Sequence, residues 1–153
     1  MVAIPYLGHR GQPLTLRFRC IQDHDHVGHG KYNTLTGDIP RMYGVDSIHS
    51  ASDEIHLTEG EFDRIIHRKI GWHSVAVPGV EMWFARHRRM LAGFSRVWIW
   101  SDPDAAGSKL TTTVCKSLRS ARPVRLRVGD VTETYKAGGA EALYELLDKE
   151  KAK

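Results

Sequence analysis

The chain has 153 residues, of which 41% are hydrophobic, and carries a formal net charge of +4. This length and composition predict a compact domain with a real core and exclude a disordered tail. No apolar run approaches the ~18–20 residues of a membrane span, and the first residues lack the pattern of a signal peptide, so we expect a cytoplasmic protein with no membrane partner.

The first part of the chain, residues 1–50, reads as a small, β-rich and loop-rich subdomain. Apolar and polar residues alternate over residues 14–21, which is typical of a half-buried strand. Gly11 and Pro13 predict a turn before this strand, and further glycines punctuate the segment after it.

The second part, residues 51–153, alternates predicted strands with predicted helices. The strands are expected at 54–58, 74–77, 96–100 and 124–128, and the helices at 62–69, 80–92, 105–118 and 140–149. This order predicts an α/β fold with a parallel sheet flanked by helices. In such sheets, ligands bind outside the carboxyl ends of the strands.

Acidic residues follow three of the predicted strands. They are Glu59, Glu61, Asp63, Asp102, Asp104 and Asp130. All of them should meet at one edge of the sheet, where their charges would repel one another unless cations neutralise them. A simpler interpretation of each segment alone is that its acids cap helices and form turns. Capping does not require three acidic segments at the same end of three strands, so the set favours binding of Mg²⁺ or Mn²⁺.

Two of these segments resemble a known motif pair. The TOPRIM signature has two halves, EGxxD and DxDxAG. The first resembles residues 57–63, Leu-Thr-Glu-Gly-Glu-Phe-Asp, and the second resembles residues 100–107, Trp-Ser-Asp-Pro-Asp-Ala-Ala-Gly. DnaG-type primases have further segments that this chain resembles. Their KYxN and LYG lead-in is similar to residues 31–33 and 42–44, and two later segments are similar to residues 76–79 and 129–133. The chain is therefore identified as resembling the TOPRIM domain of a DnaG-type primase, with residues 1–50 as the basic subdomain that precedes it.

The resemblance implies RNA primer synthesis on single-stranded DNA from ribonucleoside triphosphates, by a two-metal site of Mg²⁺ or Mn²⁺. It implies catalytic roles for Glu59, Asp102 and Asp104, and metal binding by Glu59, Asp63, Asp102, Asp104 and Asp130. Arg19, Lys31 and Arg41 are the expected contacts to nucleotide phosphates or template DNA. For each of these three the simpler interpretation is a solvated surface charge.

Three departures from the primase pattern bear on these expectations. Arg41 is the only basic residue where primases carry a lysine before the LYG-like segment, and Thr132 stands where many have another aspartate. No cysteine-rich zinc module and no helicase are recognised in the sequence. We therefore expect a separate zinc-binding or helicase subunit as partner, an arrangement that suits a bacteriophage, with activity in the host cytoplasm.

Residues 23–29, Asp-His-Asp-His-Val-Gly-His, have the HxHxxH spacing of a metal-binding tract. His24, His26 and His29 are interpreted as part of a flexible polar loop, because no partner ligand is identifiable elsewhere and Cys20 and Cys115 are read as small buried hydrophobes. On this interpretation no structural zinc is expected.

Two other functions remain open. A TOPRIM-type metal-dependent nuclease would keep the same carboxylates without needing the lead-in segments, and a non-catalytic TOPRIM module would bind metal and nucleotide but need a partner primase subunit for turnover. The sequence leaves the template recognition sequence, primer length and oligomeric state undetermined.

Overall fold

Two β-sheets organise the chain, which the computed structural model describes from residue 1 to residue 153 except for the side chain of Val80. An antiparallel sheet contains, in spatial order, β1 (Val2–Leu7), β2 (Pro13–Arg19) and β3 (Tyr32–Thr34). A parallel sheet has the spatial order β5-β4-β6-β7; its strands are β4 (Glu54–Thr58), β5 (Ser74–Ala76), β6 (Arg96–Ser101) and β7 (Ala121–Arg125). The predicted fold class, a parallel sheet preceded by a β-rich unit, is confirmed.

Helices connect and cover the parallel strands. They are α1 (Asp46–Ser50), α2 (Glu61–Lys69), α3 (Ala85–Leu91), α4 (Ala105–Ser117) and α5 (Val131–Lys151), with a short 3₁₀ turn at Val80–Met82. Within the described chain, none of them combines the length and apolar character that crossing a lipid bilayer demands.

The central strand β6 shows why both faces of the parallel sheet are buried. Val97 and Ile99 point to one face, where they pack with Leu110 and Val114 of α4. Trp98 and Trp100 point to the other face, where they form a second core cluster with residues of β7, α2 and α5. A strand covered on both sides reads as a continuous apolar run, as this one does.

Several helices and strands differ in their bounds from the sequence-based prediction. The helix expected at 80–92 is broken, because Trp83 and Phe84 are extended and only Ala85–Leu91 is α-helical. The last strand lies at 121–125 rather than 124–128. The helix predicted from Ala140 is present, but a further helical segment from Val131 precedes it within α5, and Gly139, whose φ of 65° and ψ of −161° are not helical, separates the two segments. Strands β1 and β3 and helix α1 were not predicted.

Glu61 joins the two sheets. Its side chain is only 1% exposed, and it accepts hydrogen bonds from the Tyr6 hydroxyl at 2.8 Å and from the Arg17 guanidinium at 2.9 Å. The Tyr6 ring also contacts the tilted ring of Tyr43, with the ring centres 4.9 Å apart, and the Tyr43 backbone pairs with Ala76 of β5. A buried, paired carboxylate of this kind holds the antiparallel sheet against α2. The division of the chain into residues 1–50 and 51–153 stays a prediction.

Candidate functional site

The carboxyl ends of β4 and β6 place the first acidic residues next to each other. Parallel pairing aligns Thr58 with Trp100, so the chain leaves both strands at the same level of the sheet. Glu59 follows directly on β4, and Asp102 follows directly on β6. The Glu59 Oε1 atom accepts a hydrogen bond from the Asp102 backbone N–H at 2.9 Å. The two acidic segments therefore form one rim.

Asp104 and Gly107 shape the second half of this rim. The Asp104 side chain caps α4 by accepting a hydrogen bond from the Gly107 N–H at 2.8 Å, so the capping interpretation of this residue is correct. A Cβ atom at Gly107 would lie 2.1 Å from the Asp102 carbonyl oxygen and 2.6 Å from Glu59 Oε1. Only glycine allows α4 to approach the two acidic loops this closely.

Asp63 and Asp130 complete the rim from α2 and α5. Asp63 lies in the first turn of α2, and its Oδ1 accepts hydrogen bonds from the Thr132 N–H at 3.0 Å and from the Thr132 hydroxyl at 2.7 Å. Asp130 caps α5 through a 2.7 Å hydrogen bond from the Glu133 N–H. Thr132 thus supplies donors to a neighbouring acid at the position where the primase pattern has a further carboxylate.

Burial and repulsion from neighbouring carboxylates raise the pKa values of Glu59, Asp63 and Asp102. Burial, with the charges of Asp102, Asp104 and Asp63, raises the pKa of Glu59 to about 7. Burial, with the charges of Asp130 and Asp102, raises the pKa of Asp63 to about 6 against the hydrogen bonds from Thr132. The pKa of Asp102 is also raised, by burial and then by Asp130, Asp104 and Glu133. Glu59, Asp63 and Asp102 are therefore each repelled by neighbouring carboxylates.

No lysine or arginine neutralises this charge among the side chains that the structure describes. None of the five predicted metal-binding acids, Glu59, Asp63, Asp102, Asp104 and Asp130, takes part in an ion pair there. Converging carboxylates without a cationic partner fit a hard divalent cation, which prefers oxygen ligands. The structure thus brings the five acids together, while their assignment as metal ligands stays a prediction.

Divalent metal is expected to stabilise the protein increasingly as the pH rises. The pKa values of Glu59 and Asp63, about 7 and about 6, exceed the ordinary values of 4.5 and 3.8. Between about pH 4 and pH 7 the metal-free folded state therefore holds protons that the unfolded state has released, and its stability falls as the pH rises through this window. A bound cation favours the charged carboxylates and offsets the loss.

Thermal unfolding with and without Mn²⁺, measured from acidic to mildly alkaline pH, tests this expectation. Because Glu59 is only partly buried, solvent screening limits the pH-dependent loss without metal to about 1–2 kcal/mol. A Glu59→Gln variant should flatten the pH dependence, whereas Glu81→Gln, on the exposed surface, should leave it unchanged. A stabilisation by Mn²⁺ that is the same at every pH would contradict the electrostatic interpretation.

Two of the three predicted basic contacts border the acidic rim. Arg19 and Lys31 line a cleft of about 460 Å³ together with Phe62, Asp130 and Thr132. The Arg19 guanidinium lies 4.5 Å from the centre of the Phe62 ring. Lys31 is exposed.

Arg41 lies elsewhere. It pairs with Asp38 at 3.3 Å and lines a different cavity with Tyr6 and Arg17. Of the three predicted phosphate contacts, Arg41 is thus the one that the structure places on a separate surface.

Sequence reasoning missed four contributions to this region. Thr132 acts as a hydrogen-bond donor, Gly107 permits close approach, and Glu61 is buried against Tyr6 and Arg17. Cys20 is buried, as expected, but its Sγ lies 3.3 Å from His24 Nε2, so the premise that the histidines lack a partner ligand is wrong. The spacing CxxxHxHxxH over residues 20–29 was the signal available for that contact.

Sequence comparison identifies a phage relative. No protein-family model matches the chain. The Gene 57 protein of Mycobacterium phage D29 is 34% identical over 153 residues, a stretch that covers 95% of this chain and 97% of that protein.

Solved primase structures share the fold. The primase fragment of the bacteriophage T7 primase-helicase protein is 18% identical with a TM-score of 0.74, covering 95% of this chain and 62% of that chain. The Aquifex aeolicus primase, with its zinc-binding and RNA polymerase domains, is 23% identical with a TM-score of 0.80, covering 96% and 39%. A DnaG primase catalytic domain bound to ssDNA is 18% identical with a TM-score of 0.74, covering 96% and 50%. The chain has the fold of DnaG-type primase catalytic cores and spans between 39% and 62% of the length of these three chains.

Proposed function

The chain belongs to the family of the Gene 57 protein of Mycobacterium phage D29, and we propose that it is the catalytic part of a DnaG-type primase. The observation that carries this proposal is the convergence of uncompensated carboxylates at the ends of β4 and β6, within a primase fold. The proposed reaction is the synthesis of an RNA primer on single-stranded DNA. One solved relative in fold is a DnaG catalytic domain bound to ssDNA, which supports this choice of template.

Five acids would hold two divalent cations, Mg²⁺ or Mn²⁺. They are Glu59, Asp63, Asp102, Asp104 and Asp130. When bound, such ions stabilise negative charge on a transferring phosphoryl group and favour ionisation of the attacking hydroxyl. The fit rests on the donor set, which consists of oxygen atoms only and carries negative charge that no described cationic side chain offsets.

The side chains themselves position the reactants and move the proton. The primer 3′-hydroxyl forms a bond to the α-phosphorus of the incoming ribonucleoside triphosphate, and the bond to pyrophosphate breaks. Glu59, which directly follows β4 and accepts a hydrogen bond from the Asp102 N–H, would serve either as a metal ligand or as the acceptor of the hydroxyl proton. Lys31 and Arg19 would contact the phosphates or the template from the opposite wall of the cleft.

The position of Arg41 gives less support for a contact with the phosphates. It is paired with Asp38 and lies on a different cavity, so we propose it only for a template strand that extends beyond the cleft.

Incubation with ribonucleotides, Mn²⁺ or Mg²⁺ and a single-stranded DNA template tests the function. Labelled oligoribonucleotides that depend on both metal and template are the expected product. A shortened template without ribonucleotide incorporation would instead identify a nuclease. Binding of metal and nucleotide without turnover, followed by synthesis when the product of a neighbouring reading frame is added, would identify a module that needs a partner chain.

The partner proposed for this chain is a separate zinc-binding or helicase subunit. The solved primases supply the reason, since the Aquifex aeolicus chain includes a zinc-binding domain and the T7 fragment comes from a primase-helicase protein. We also propose that the protein acts in the cytoplasm of a bacterial host.

A further inference from the structure

The loop between β2 and β3 gathers four potential metal ligands. Cys20 directly follows β2, and His24, His26 and His29 come from the next nine residues. One ligand atom from each of the four lies within 4.8 Å of every other. Cys20 Sγ and His24 Nε2 lie 3.3 Å apart. A thiol and three imidazoles thus share one small volume outside the carboxylate rim.

The three imidazole rings have the spacing of ligands around one ion. Their centres are 4.7, 5.1 and 5.2 Å apart. Tetrahedral zinc with Zn–N distances of about 2.0–2.1 Å places the centres of two coordinated rings about 5 Å apart. The near-equilateral triangle therefore needs little adjustment to accept an ion.

Hydrogen bonds from Nδ1 to backbone carbonyl oxygens fix the tautomer of two of the rings. His24 Nδ1 lies 2.8 Å from the Asp25 carbonyl oxygen, and His29 Nδ1 lies 3.1 Å from the Gly30 carbonyl oxygen. Because a carbonyl only accepts, both Nδ1 atoms carry the hydrogen, and the lone pair is left on Nε2. Histidines that bind metal ions usually donate their other ring N–H in this way.

His26 supplies a third, independent indication. Its Nδ1 atom is buried and has no hydrogen-bond partner among the described residues. A buried polar atom without a partner is unfavourable, and a coordinated cation would satisfy it.

The loop has little else to hold it together. Ile21 is 64% exposed and Val27 is 88% exposed, so its apolar side chains do not form a core. A hydrogen bond of 2.9 Å from the Cys20 N–H to the Lys31 carbonyl oxygen joins the two ends of the loop. Metal coordination is a common means of ordering such a segment.

We propose that Cys20, His24, His26 and His29 bind one Zn²⁺ ion and that this ion fixes the loop as a wall of the cleft. The thiolate and imidazole donors favour zinc over Mg²⁺, and four protein ligands make a closed, structural site. Cys20, His24 and His26 line the cleft together with Lys31, facing Asp130 and Thr132. The ion thereby sets the position of Lys31 relative to the acidic rim.

Zinc content of the purified full chain, grown with zinc and dialysed against a weak chelator, tests the site. One zinc ion per chain is expected, and Cys20→Ser and His26→Ala should each lose it. Cys115→Ser is the matched control, because Cys115 is the other free cysteine and lies on α4. The double variant Asp102→Asn, Asp104→Asn should retain zinc, which separates this site from the carboxylates whether or not the protein makes primers.

Replacement by Co²⁺ gives a second readout. A thiolate-to-cobalt charge-transfer band is expected in the native chain and in Cys115→Ser but not in Cys20→Ser. Removal of zinc should also speed amide hydrogen exchange in residues 20–31 by at least about tenfold, with little change in β4 and β6. Zinc well below one ion per chain, a cobalt band that survives Cys20→Ser, or unchanged exchange in the loop would overturn the proposal.

Discussion

Replacing Asp102 or Asp104 with asparagine is expected to lower the rate of primer synthesis by about a thousandfold. Loss of a metal ligand removes several kcal/mol of transition-state stabilisation, and each ~1.36 kcal/mol corresponds to a tenfold change in rate. The same change at Asp102 should raise the thermal stability of the metal-free protein at neutral pH. The Asp102 carboxylate is repelled by Asp130, Asp104 and Glu133, which together with burial raise its pKa. Loss of activity combined with a gain in stability is typical of a site that binds a cation.

Asn keeps the shape of each side chain. At Asp104 it also preserves the helix cap to the Gly107 N–H, since Asn is as good a capping residue as Asp. Mn²⁺ affinity from titration calorimetry, primer synthesis and thermal unfolding are the three measurements. Asp148→Asn, on the exposed surface of α5, is the matched control and should change none of them. Undiminished Mn²⁺ binding in both variants would refute the assignment of these two residues.

Alanine at Gly107 is expected to destabilise the protein by about 1–3 kcal/mol and to abolish metal binding at the rim. The added Cβ would lie 2.1 Å from the Asp102 carbonyl oxygen and 2.6 Å from Glu59 Oε1. The backbone oxygen cannot move aside cheaply, so α4 must shift away from the acidic loops. A displacement of about 1 Å in a catalytic constellation costs roughly a hundredfold in rate even where the fold survives.

Gly93→Ala is the matched control for this substitution. A Cβ at Gly93 would meet nothing within 4 Å, and its φ is not among the positive ones, so the change should alter stability by less than about 0.5 kcal/mol. Denaturant unfolding and Mn²⁺ titration at a temperature where both variants are folded provide the comparison. A Gly107→Ala protein with native stability and native Mn²⁺ affinity would show that the close approach of α4 is unimportant.

Elements with a strong local signal were predicted well. Strand β4 has the predicted bounds, and β6 differs by one residue, because apolar runs bounded by turns and acids are unambiguous over this length. Helix α4 begins at the expected residue, since Asp104 is a good cap and Pro103 ends the preceding loop.

The errors lie where long-range contacts override the local pattern. The helix expected at 80–92 breaks at Trp83, whose indole N–H donates to Ser117 Oγ at 2.9 Å and whose ring packs on the core. Strand β7 is shifted because its register is set by pairing with β6, where Val97 lies opposite Ala121. The helical segment that begins at Val131 was missed, and it is separated from the predicted segment at Ala140 by Gly139, whose φ of 65° and ψ of −161° are not helical.

The sequence by itself determined the α/β class and the edge of the sheet at which Glu59 and Asp102 meet, because parallel strands joined by helices must end on the same side. Only the tertiary structure decided the partners of individual polar atoms. Glu61 is buried by Tyr6, which lies 55 residues away, and Asp63 is held by Thr132, which lies 69 residues away. Such pairs depend on the packing of separate elements, and no local pattern of residue types specifies them.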